Sequence, residues 1–289
     1  MLESTLEFLR CVRCGSKLEL DALKIEKEIK EGFLECNKCK LAFPIIEKIP
    51  ILWDDFSKYL SNRKVLGGKL YQIANTEKMK SFLKSSLSKI ISGDDRTLLE
   101  ERWSKIYQNS MHSKFYSLIK NNLNSLSKDN AVLEHGCSIG IITSYLADSN
   151  KIVFGIDRSF SALRFAKKSY KNNLDYVVAD SLSPVFGKLQ FNLVLALNIL
   201  ELIEPIELLQ HISKQISSGH FVISDPYDFE RGIHSVKKTL DEYTLRTNLE
   251  NLGFKISAQT KKPSFIPWNL KLNPRATLNY KVDLIIGKK

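Results

Sequence analysis

The sequence has no apolar run longer than a β-strand and therefore offers no candidate for a transmembrane helix. Its first seven residues lack the basic start and the apolar core of a signal peptide. Only five cysteines occur among 289 residues, too few and too regularly spaced for a disulfide scaffold. A hydrophobic share of 43% is ordinary for a globular protein and suffices for one large domain and a small one. These features predict a folded cytoplasmic protein with no membrane partner.

A phosphate-binding loop ending in Gly-Lys-Ser/Thr is also missing, although the segment 131–140, Ala-Val-Leu-Glu-His-Gly-Cys-Ser-Ile-Gly, contains a glycine-rich turn. An apolar run ends in an acid and this turn, an amphipathic stretch follows, and a second apolar run at 151–157 also ends in an acid. This order predicts a β-α-β unit. Gly136 and Gly140 would let the backbone approach a ligand closely. Because Glu134 in the turn would repel a pyrophosphate, we expect an adenosine ligand without phosphates.

Four of the cysteines form two Cys-x-x-Cys pairs, Cys11 with Cys14 and Cys36 with Cys39. Each pair makes a tight knuckle that presents two sulfurs to one ion, and two knuckles complete a tetrahedral thiolate site. The 21 residues between Cys14 and Cys36 suit a β-ribbon that links the knuckles. Since four protein ligands leave no open position for a water molecule, we expect structural Zn2+. A redox-active pair is the alternative, but no thioredoxin-like β-α-β context surrounds either pair.

The turn from Glu134 to Gly140 resembles the first motif, acid-x-Gly-x-Gly-x-Gly, of class I S-adenosylmethionine-dependent methyltransferases. Ser138 departs from the motif by replacing its middle glycine. The resemblance implies a Rossmann-like, doubly wound α/β fold with a seven-stranded sheet and S-adenosylmethionine as cofactor. The alternative is a dinucleotide-binding or inert doubly wound domain. Acids or amides at the ends of four successive predicted strands argue against this alternative.

The resemblance continues along the chain and implies which residues hold the cofactor. Asp157 falls where the family binds the ribose, and a carboxylate there can accept hydrogen bonds from both hydroxyls. Tyr176-Val-Val-Ala-Asp-Ser181 resembles the third strand, whose terminal acid and its neighbour contact the adenine amino group. Phe191-Asn-Leu-Val-Leu-Ala-Leu-Asn198 resembles the fourth strand, which opens on the substrate. The implied cofactor-binding residues are Glu134, Gly136, Cys137, Ser138, Gly140, Asp157, Arg158, Asp180, Ser181 and Asn198.

A second resemblance covers about the first 55 residues. The paired knuckles and the following Phe43-Pro-x-x-x-x-x-Pro50 stretch are similar to the small zinc-ribbon family that activates several tRNA, rRNA and release-factor methyltransferases as a separate subunit. Here that module is fused to its catalytic partner. The resemblance implies a hydrophobic docking strand that covers part of the methyltransferase sheet or its lid.

The segment 56–130 combines helical periodicity with positive charge. The whole chain carries a formal net charge of +11, and this segment contributes +8. Because its lysines are scattered rather than clustered with arginine and aromatic residues, a solvated helical surface is the simplest interpretation. Nucleic acid is the alternative partner. In the resembled fold, helices before the first strand usually cover the cofactor, so we expect a lid here.

Candidate catalytic residues lie at predicted strand ends. Methyl transfer from a sulfonium is an in-line displacement that depends on holding the nucleophile in place, so a strong base is optional. The candidates after the fourth and fifth strands are Asn198, Asp225 and Tyr227. Asp225-Pro-Tyr superficially resembles the Asn/Asp-Pro-Pro-Tyr motif of amino-methylating enzymes, but that motif belongs after the fourth strand. The alternative role of Asp225 is a turn-forming carboxylate before proline.

The tail 263–275 loosely resembles the ends of carnosine and 4-mercaptohistidine N-methyltransferases, as does Asp225-Pro-Tyr-Asp228. Those enzymes methylate imidazole nitrogens of small substrates derived from amino acids. The resemblance implies that Arg275 grips a substrate carboxylate in bidentate fashion. A surface loop stapled by Trp268 is the alternative interpretation of this tail.

The sequence therefore predicts a zinc-ribbon module at residues 1–55, a helical linker or lid at 56–128 and a methyltransferase domain at 129–289. The expected reaction is methyl transfer from S-adenosylmethionine to a nitrogen or oxygen of a small polar metabolite. The main alternative is an RNA or ribosome-associated methyltransferase, which the basic linker and the zinc module favour. A non-catalytic scaffold with the same fold is the third possibility, and the acids of the cofactor motif argue against it.

Overall fold

A computed structural model of the protein describes residues 1–90, 93–126, 128, 130–230 and 236–289. The chain forms two compact units, each discontinuous in sequence. The first unit comprises Met1–Lys105, Ser138–Gly140 and Ile156–Gly187, and the second comprises Ile106–Cys137, Ile141–Gly155 and Lys188–Lys289. The expected division at residues 55 and 128 follows sequence families rather than these units, and it stays a prediction.

The first unit begins with a short 3-10 helix, Glu3–Glu7, and a four-stranded antiparallel sheet. The strands are β1 Glu19–Ile25, β2 Ile29–Cys36, β3 Leu41–Ile46 and β4 Ile49–Pro50, and they pair in chain order. Since β1 and β2 form an antiparallel pair between the two cysteine knuckles, the predicted β-ribbon is confirmed.

The chain that leaves β4 pairs with strand β7, Leu174–Val178. Ile51 forms a parallel bridge with Val178, and the Leu52 amide donates to the Val178 carbonyl at 2.8 Å. Ile51 and Leu52 are both fully buried. The hydrophobic docking segment that the zinc-ribbon resemblance implies is therefore present, and it pairs with the last residue of β7.

A buried group of charges also fastens the N-terminal sheet to β7. Lys167 Nζ lies 2.5 Å from Glu28 Oε1 and 2.6 Å from Asp175 Oδ1. The Thr5 hydroxyl and the Leu2 amide donate to the other oxygen of Asp175. Burial opposes ionisation of Asp175, but Lys167 and these donors lower the pKa of its carboxyl overall. Glu28 also faces the N-terminal ammonium at 3.8 Å and Lys48 Nζ at 3.5 Å, so Asp175 is the carboxylate that depends most on Lys167.

Helices dominate the segment after the N-terminal sheet, as predicted. They are α1 Phe56–Ser61, α2 Lys64–Ile73, α3 Glu77–Leu87, α4 Thr97–Asn109 and α5 Lys114–Leu123. Side chains cap two of them, since Asp55 accepts from the Lys58 amide and Thr76 from the Met79 amide. α4 starts in the first unit and ends in the second. The lid role expected of this segment stays a prediction.

The second unit is built on a mixed β-sheet. Its strands are β5 Ala131–His135, β6 Ile152–Asp157, β8 Leu193–Leu197, β9 His220–Asp225, β10 Lys255–Ile256 and β12 Ala276–Lys288. Their order is β10-β12-β9-β8-β5-β6, and β6 continues into the first unit, where β7 is its neighbour. β5, β8 and β9 run parallel, whereas β12 is antiparallel to β9. The predicted seven-stranded, doubly wound α/β order is confirmed.

The remaining helices follow the predicted signals. They are α6 Ile141–Leu146, α7 Phe160–Ala166, α8 Pro205–Gln215 and α9 Glu242–Asn251. Ser159 caps α7 by accepting from the Ala162 amide, and Pro205 is the first residue of α8. None of the helices in the described part of the chain has the length and apolarity that a membrane span requires.

The tail corrects one expectation. A surface loop was the alternative interpretation of residues 263–275, but Ile266–Asn273 form a strand, β11, that pairs antiparallel with β12. As a result, β12 begins at Ala276, directly after the turn of the hairpin. The alternation of apolar and polar residues from Ile266 onward is the signal that sequence analysis missed. Trp268 is buried under the resulting hairpin.

Candidate active site

The glycine-rich turn follows β5, and each of its glycines is required by a different close contact. Gly136 has φ +65°, and a Cβ there would lie 2.5 Å from Ile199 Cγ2. Gly140 has φ +73°, and its Cβ would lie 2.9 Å from the Ala166 Cβ and closer still to the Tyr176 ring. Only glycine combines this backbone conformation with such approaches. The turn is therefore held tightly in place.

Ser138, the departure from the motif, also adopts a left-handed backbone with φ +49°. This conformation costs a non-glycine residue about 1 kcal/mol or more. Its amide donates to Asp157 Oδ2 at 2.8 Å. The strained conformation thus points a backbone donor at the acid that ends β6.

Asp157 fits the ribose-binding role that the resemblance implies. Its Oδ2 accepts the Ser138 amide, and its Oδ1 accepts the Ser159 amide at 2.7 Å. Each carboxylate oxygen has two acceptor directions, so one direction per oxygen can still accept a hydroxyl. Burial raises the pKa of the Asp157 carboxyl, and the amides of Ser159 and Ser138 oppose that rise. The carboxylate is half-buried, and the two amides orient it before any ligand binds.

Asp180 lies two residues after β7, and Arg158 follows Asp157 directly. Arg158 Nη2 lies 3.2 Å from Asp180 Oδ2, while the Leu182 amide donates to Asp180 Oδ1 at 2.9 Å. The Arg158 and Asp180 side chains are partly exposed, and Ser181 is buried. The first unit therefore brings together Ser138, Gly140, Asp157, Arg158, Asp180 and Ser181.

Three residues of the helical segment join this group, and sequence analysis missed them. The Tyr59 hydroxyl donates to the Arg158 carbonyl at 3.0 Å. Arg63 is buried and places two nitrogens at 2.7 and 3.0 Å from Glu100 Oε1. Burial raises the pKa of Asp157, and the positive charge of Arg63 is the weakest of the influences named that oppose this rise, after the amides of Ser159 and Ser138 and the charge of Arg158. No local pattern distinguishes these residues from other polar residues on helices.

Glu134, Gly136 and Cys137 belong to the second unit. Glu134 is buried and accepts a hydrogen bond from the Thr143 hydroxyl. Burial raises the pKa of Tyr116 in α5 above its ordinary range, and the charges of Tyr107 and Glu134 raise it further. Tyr116 is thus a neighbour of Glu134 that the sequence did not indicate. Cys137 is buried, as expected for a packing residue.

Asn198 directly follows β8 and has a left-handed backbone with φ +56°. Asparagine tolerates this conformation better than most residues. Its Oδ1 accepts the Ser224 hydroxyl at 2.9 Å, and its amide donates to the Ser224 carbonyl at 2.7 Å. Because Ser224 occupies the oxygen end of the carboxamide, the Nδ2 end remains a donor. Asn198 is buried but keeps 9% of its surface exposed to solvent.

Asp225 ends β9, and its hydrogen bonds are structural. Its Oδ2 accepts the Leu200 amide at 3.0 Å, and its Oδ1 accepts the Tyr227 amide at 2.8 Å. The carboxylate therefore fastens the loop after β8 to the loop after β9. These two hydrogen bonds fit the turn-forming alternative, and the catalytic role of Asp225 stays a prediction.

Tyr227 has φ +57°, and its hydroxyl donates to Asp283 Oδ2 at 2.9 Å. Arg246 holds Asp283 in bidentate fashion, at 2.7 and 3.1 Å. Burial raises the pKa of Tyr227 above its ordinary range, and Asp283 raises it further. The phenol stays protonated near neutral pH and cannot act as a base there. Sequence analysis missed both Asp283 and Arg246.

Arg275 lies away from these groups in the hairpin. It occupies the exposed turn between β11 and β12, where its amide donates to Asn273 Oδ1 at 2.8 Å. The second unit therefore brings together Asn198, Asp225 and Tyr227, while Arg275 sits at a hairpin tip.

The four cysteines of the knuckles form one cluster. The Sγ atoms of Cys11, Cys14, Cys36 and Cys39 all lie within 4.8 Å of one another. The residue after each pair turns left-handed, Gly15 with φ +70° and Lys40 with φ +54°. Four sulfurs at this separation fit a tetrahedral Zn2+ site, whose Zn–S bonds are about 2.3 Å long.

Comparison with known families finds two matches along the chain. Residues 132–219 match the model of the family described as "Methyltransferase domain". Residues 3–47 match that of the family described as "Trm112p-like protein". No curated protein sequence matches the chain.

Solved structures share the fold at low identity. A chain of the complex between the Haloferax volcanii Trm112 methyltransferase activator and the putative methyltransferase is 14% identical, with a TM-score of 0.54. The match covers 67% of this chain and 95% of that one. Magnesium protoporphyrin IX methyltransferase from Synechocystis PCC 6803 with bound SAH is 16% identical, with a TM-score of 0.51 over 67% and 95% of the two chains. These likenesses establish the fold.

Proposed function

Because the chain carries a class I S-adenosylmethionine-dependent methyltransferase domain joined to a Trm112p-like domain, we propose that it methylates a nitrogen or oxygen of an acceptor bound beside Asn198. The observation that carries this proposal is the orientation of the Asn198 carboxamide. Ser224 fixes its oxygen, so its NH2 group can donate to an acceptor molecule. An oriented donor at a strand end can align a nucleophile without acting as a base.

The cofactor-binding part of the proposal rests on the first unit. Asp157 would accept the two ribose hydroxyls, since each of its oxygens keeps one acceptor direction. Asp180 and Ser181 would contact the adenine. When bound, the cofactor would supply a sulfonium methyl group whose carbon forms a bond to the acceptor lone pair while the methyl–sulfur bond breaks in line, leaving S-adenosylhomocysteine, and the acceptor proton passes to solvent. The sulfonium needs no phosphate site, consistent with the acid at Glu134.

Asp225 and Tyr227 act in this proposal as positioning residues. Asp225 holds the Leu200 amide, two residues after Asn198, and so sets the course of the loop that carries Asn198. Tyr227 is anchored by Asp283 and keeps its proton. Neither residue is proposed to remove a proton from the acceptor.

The first candidate acceptor is a small polar metabolite with a nucleophilic nitrogen or oxygen. The buried position of Asn198 supports it, because a small molecule can enter where a folded macromolecule cannot. The exposed position of Arg275 gives no support to a carboxylate grip on that metabolite.

RNA is the second candidate acceptor, and two observations favour it. The net charge is +11, and a Trm112p-like domain is fused to the enzyme. A single-stranded base can be splayed out of its stack to reach a recessed site.

We also propose that the four cysteines hold one structural Zn2+ ion. Its role would be to fix the two knuckles that flank the β1–β2 ribbon. Since the same module pairs with β7, zinc would stabilise the first unit as a whole.

A transfer assay with a methyl-labelled cofactor tests the proposed function. Purified zinc-loaded protein is incubated with a pool of small imidazoles, amines and hydroxy acids, or with total RNA, and the labelled fraction is identified. Asn198→Ala should lower kcat at least tenfold with unchanged cofactor affinity, whereas Asn122→Ala, on the partly exposed α5, should have no effect. Equal rates in Asn198→Ala and the native protein would refute the role of Asn198. Absence of labelling in every pool would refute the acceptor classes.

A further inference from the structure

The β11–β12 hairpin presents one face whose side chains are all exposed. Alternate residues along the hairpin point to the same side, and antiparallel register places Asn269 opposite Asn279 and Lys271 opposite Thr277. We call this side the ribbon face. Its paired residues are Pro267, Asn269, Lys271, Thr277, Asn279 and Lys281, and we include with it Phe265 just before β11 and Asn273 and Arg275 at the turn, beyond a shift in register; all nine are exposed.

The ribbon face is basic and contains no carboxylate. Its cations are Lys271, Arg275 and Lys281. The sequence from 251 to 282 contains six lysine and arginine residues and no aspartate or glutamate. Within the described residues, none of the three cations lies within ion-pair distance of an acid. Their positive potential is therefore directed at solvent.

The three cations are spread too widely for one small anion. Lys281 lies level with Pro267, and Lys271 is four residues further along β11. At about 3.4 Å per residue this separation is roughly 13 Å. It exceeds the Debye length of about 8 Å at physiological ionic strength. A surface of this length suits an extended polyanion.

Phe265 adds an aromatic platform at one end of the ribbon face. Its side chain is 71% exposed, the largest exposure among the described large apolar residues. It follows the exposed Lys261 and Lys262 closely in sequence. Exposed aromatic rings beside cations are the usual surface for stacking nucleobases of a single strand.

The opposite side of the hairpin is packed and makes the ribbon rigid. Trp268 is buried and stacks on Tyr107 and Tyr280, with ring centroids 6.2 and 5.7 Å apart. The Lys271 amide donates to the Ser110 hydroxyl at 3.2 Å. A partner would therefore meet a preformed surface and lose little affinity to ordering it.

From this combination we propose that the ribbon face binds single-stranded RNA. The cations contact phosphates, Phe265 stacks on a base, and the amides of Asn269 and Asn279 contact 2′-hydroxyl groups. A membrane surface is a poorer fit because Phe265 is the only large apolar side chain on the face. The proposal goes beyond the proposed function, since binding at this face requires neither cofactor nor methyl transfer.

The test is fluorescence anisotropy of the full-length, zinc-loaded protein with a labelled 20-nucleotide single-stranded RNA. The same sequence as DNA is the second probe, and both are titrated at several salt concentrations. The ribbon variant combines Lys271→Gln, Arg275→Gln and Lys281→Gln. A matched control removes three exposed lysines from the basic helical segment, in the variant Lys64→Gln, Lys84→Gln and Lys89→Gln. Circular dichroism verifies that both variants fold.

The ribbon variant is expected to bind RNA at least tenfold more weakly. The slope of log Kd against the logarithm of the salt concentration should decrease by about 2, since each phosphate contact to a single strand contributes about 0.7 and three cations are removed. Phe265→Ala should weaken binding roughly tenfold with an unchanged salt slope. The DNA probe should bind more weakly than the RNA.

Three results would overturn the proposal. Native-like RNA affinity in the ribbon variant would show that the face is not the binding surface. An equal loss in the lysine control would assign binding to the helical segment or to net charge alone. Equal affinity for RNA and DNA would remove the role of the 2′-hydroxyl groups. None of these results depends on methyl transfer, so the proposed function stands or fails separately.

Discussion

Substitution of Asp157 gives the sharpest test of the cofactor site. In the structure each oxygen of Asp157 accepts one backbone amide, from Ser138 or from Ser159, and keeps one acceptor direction. Two ribose hydroxyls would use those directions. A hydrogen bond to a charged group contributes about 1.5–3 kcal/mol, so losing both in Asp157→Ala should cost about 3 kcal/mol or more. The Kd for S-adenosylhomocysteine is therefore expected to rise about 100-fold or more.

Asp157→Asn is not a conservative change at this position. An asparagine side chain has one oxygen, so in either orientation its NH2 group faces the amide of Ser138 or Ser159. The variant should therefore lose cofactor affinity nearly as strongly as Asp157→Ala. Asp94→Asn, which changes an exposed carboxylate of the same unit, should leave the Kd unchanged.

A 2′-deoxy analogue of the ligand isolates the contact itself. Isothermal titration calorimetry should show weaker binding of the analogue to the native protein, by about tenfold for one charge-assisted hydrogen bond. In Asp157→Ala the two ligands should bind alike, because the partner of the missing hydroxyl is already gone. If the 2′-deoxy analogue bound more weakly than the ligand by the same factor in the native protein and in Asp157→Ala, the ribose assignment would be refuted.

The pH dependence of binding has a defined sign. Burial raises the pKa of Asp157, and hydroxyl donors need its ionised form. Affinity for the cofactor should therefore fall as pH decreases through this raised pKa, and the fall should be absent in Asp157→Ala. Calorimetry between pH 4 and 8 would measure it on protein verified as folded.

Three further perturbations test other parts of the structure. Gly136→Ala would place a methyl group 2.5 Å from Ile199 Cγ2 and so displace the turn. We expect a lower kcat with a small change in melting temperature, and the additional substitution Ile199→Ala should restore part of kcat. Lys167→Met removes the lysine partner of buried Asp175, while Glu28 keeps Lys48 at 3.5 Å and the N-terminal ammonium at 3.8 Å, so the fold should be destabilised by about 3 kcal/mol in chemical denaturation. That cost should shrink on acidification, because Asp175 then becomes neutral, and a constant cost would contradict the ion-pair account. Chelation of zinc, or Cys36→Ser, should lower the melting temperature in calorimetry, whereas Cys137→Ser should not change metal content.

Local signals were sufficient for part of the fold. The apolar runs and their terminal acids predicted the first β-α-β unit, and the cysteine spacing predicted the β1–β2 ribbon and the Sγ cluster, whereas the seven-stranded order was implied by the family resemblance. The family resemblance implied a docking strand on the sheet or its lid, but the pairing of Ile51 with Val178 has no local signature and was not predicted. Residues 263–275 were interpreted either as a tail similar to the ends of carnosine and 4-mercaptohistidine N-methyltransferases or as a surface loop. The alternation of apolar and polar residues that marks a strand there was overlooked.

The site was less predictable where contacts are distant in sequence. Arg63 and Glu100 meet across 37 positions, and Arg246 meets Asp283 across another 37. A lone arginine on a helix does not reveal its partner, so such pairs arise only from the folded topology. Likewise, Asp225 was placed at the correct strand end, but its hydrogen bonds to the amides of Leu200 and Tyr227 could not be read from sequence.

The pairing of Ile51 with Val178 has a consequence for solubility. An outer strand such as β7 offers unsatisfied amides and carbonyls that can recruit strands of other molecules and start aggregation. In this chain the protecting segment is tethered to the strand it protects, so it is present in a one-to-one ratio and at high effective concentration. The end of β7 therefore needs no separate subunit as its pairing partner during synthesis. Tethering removes the interval in which an unaccompanied catalytic domain would be vulnerable.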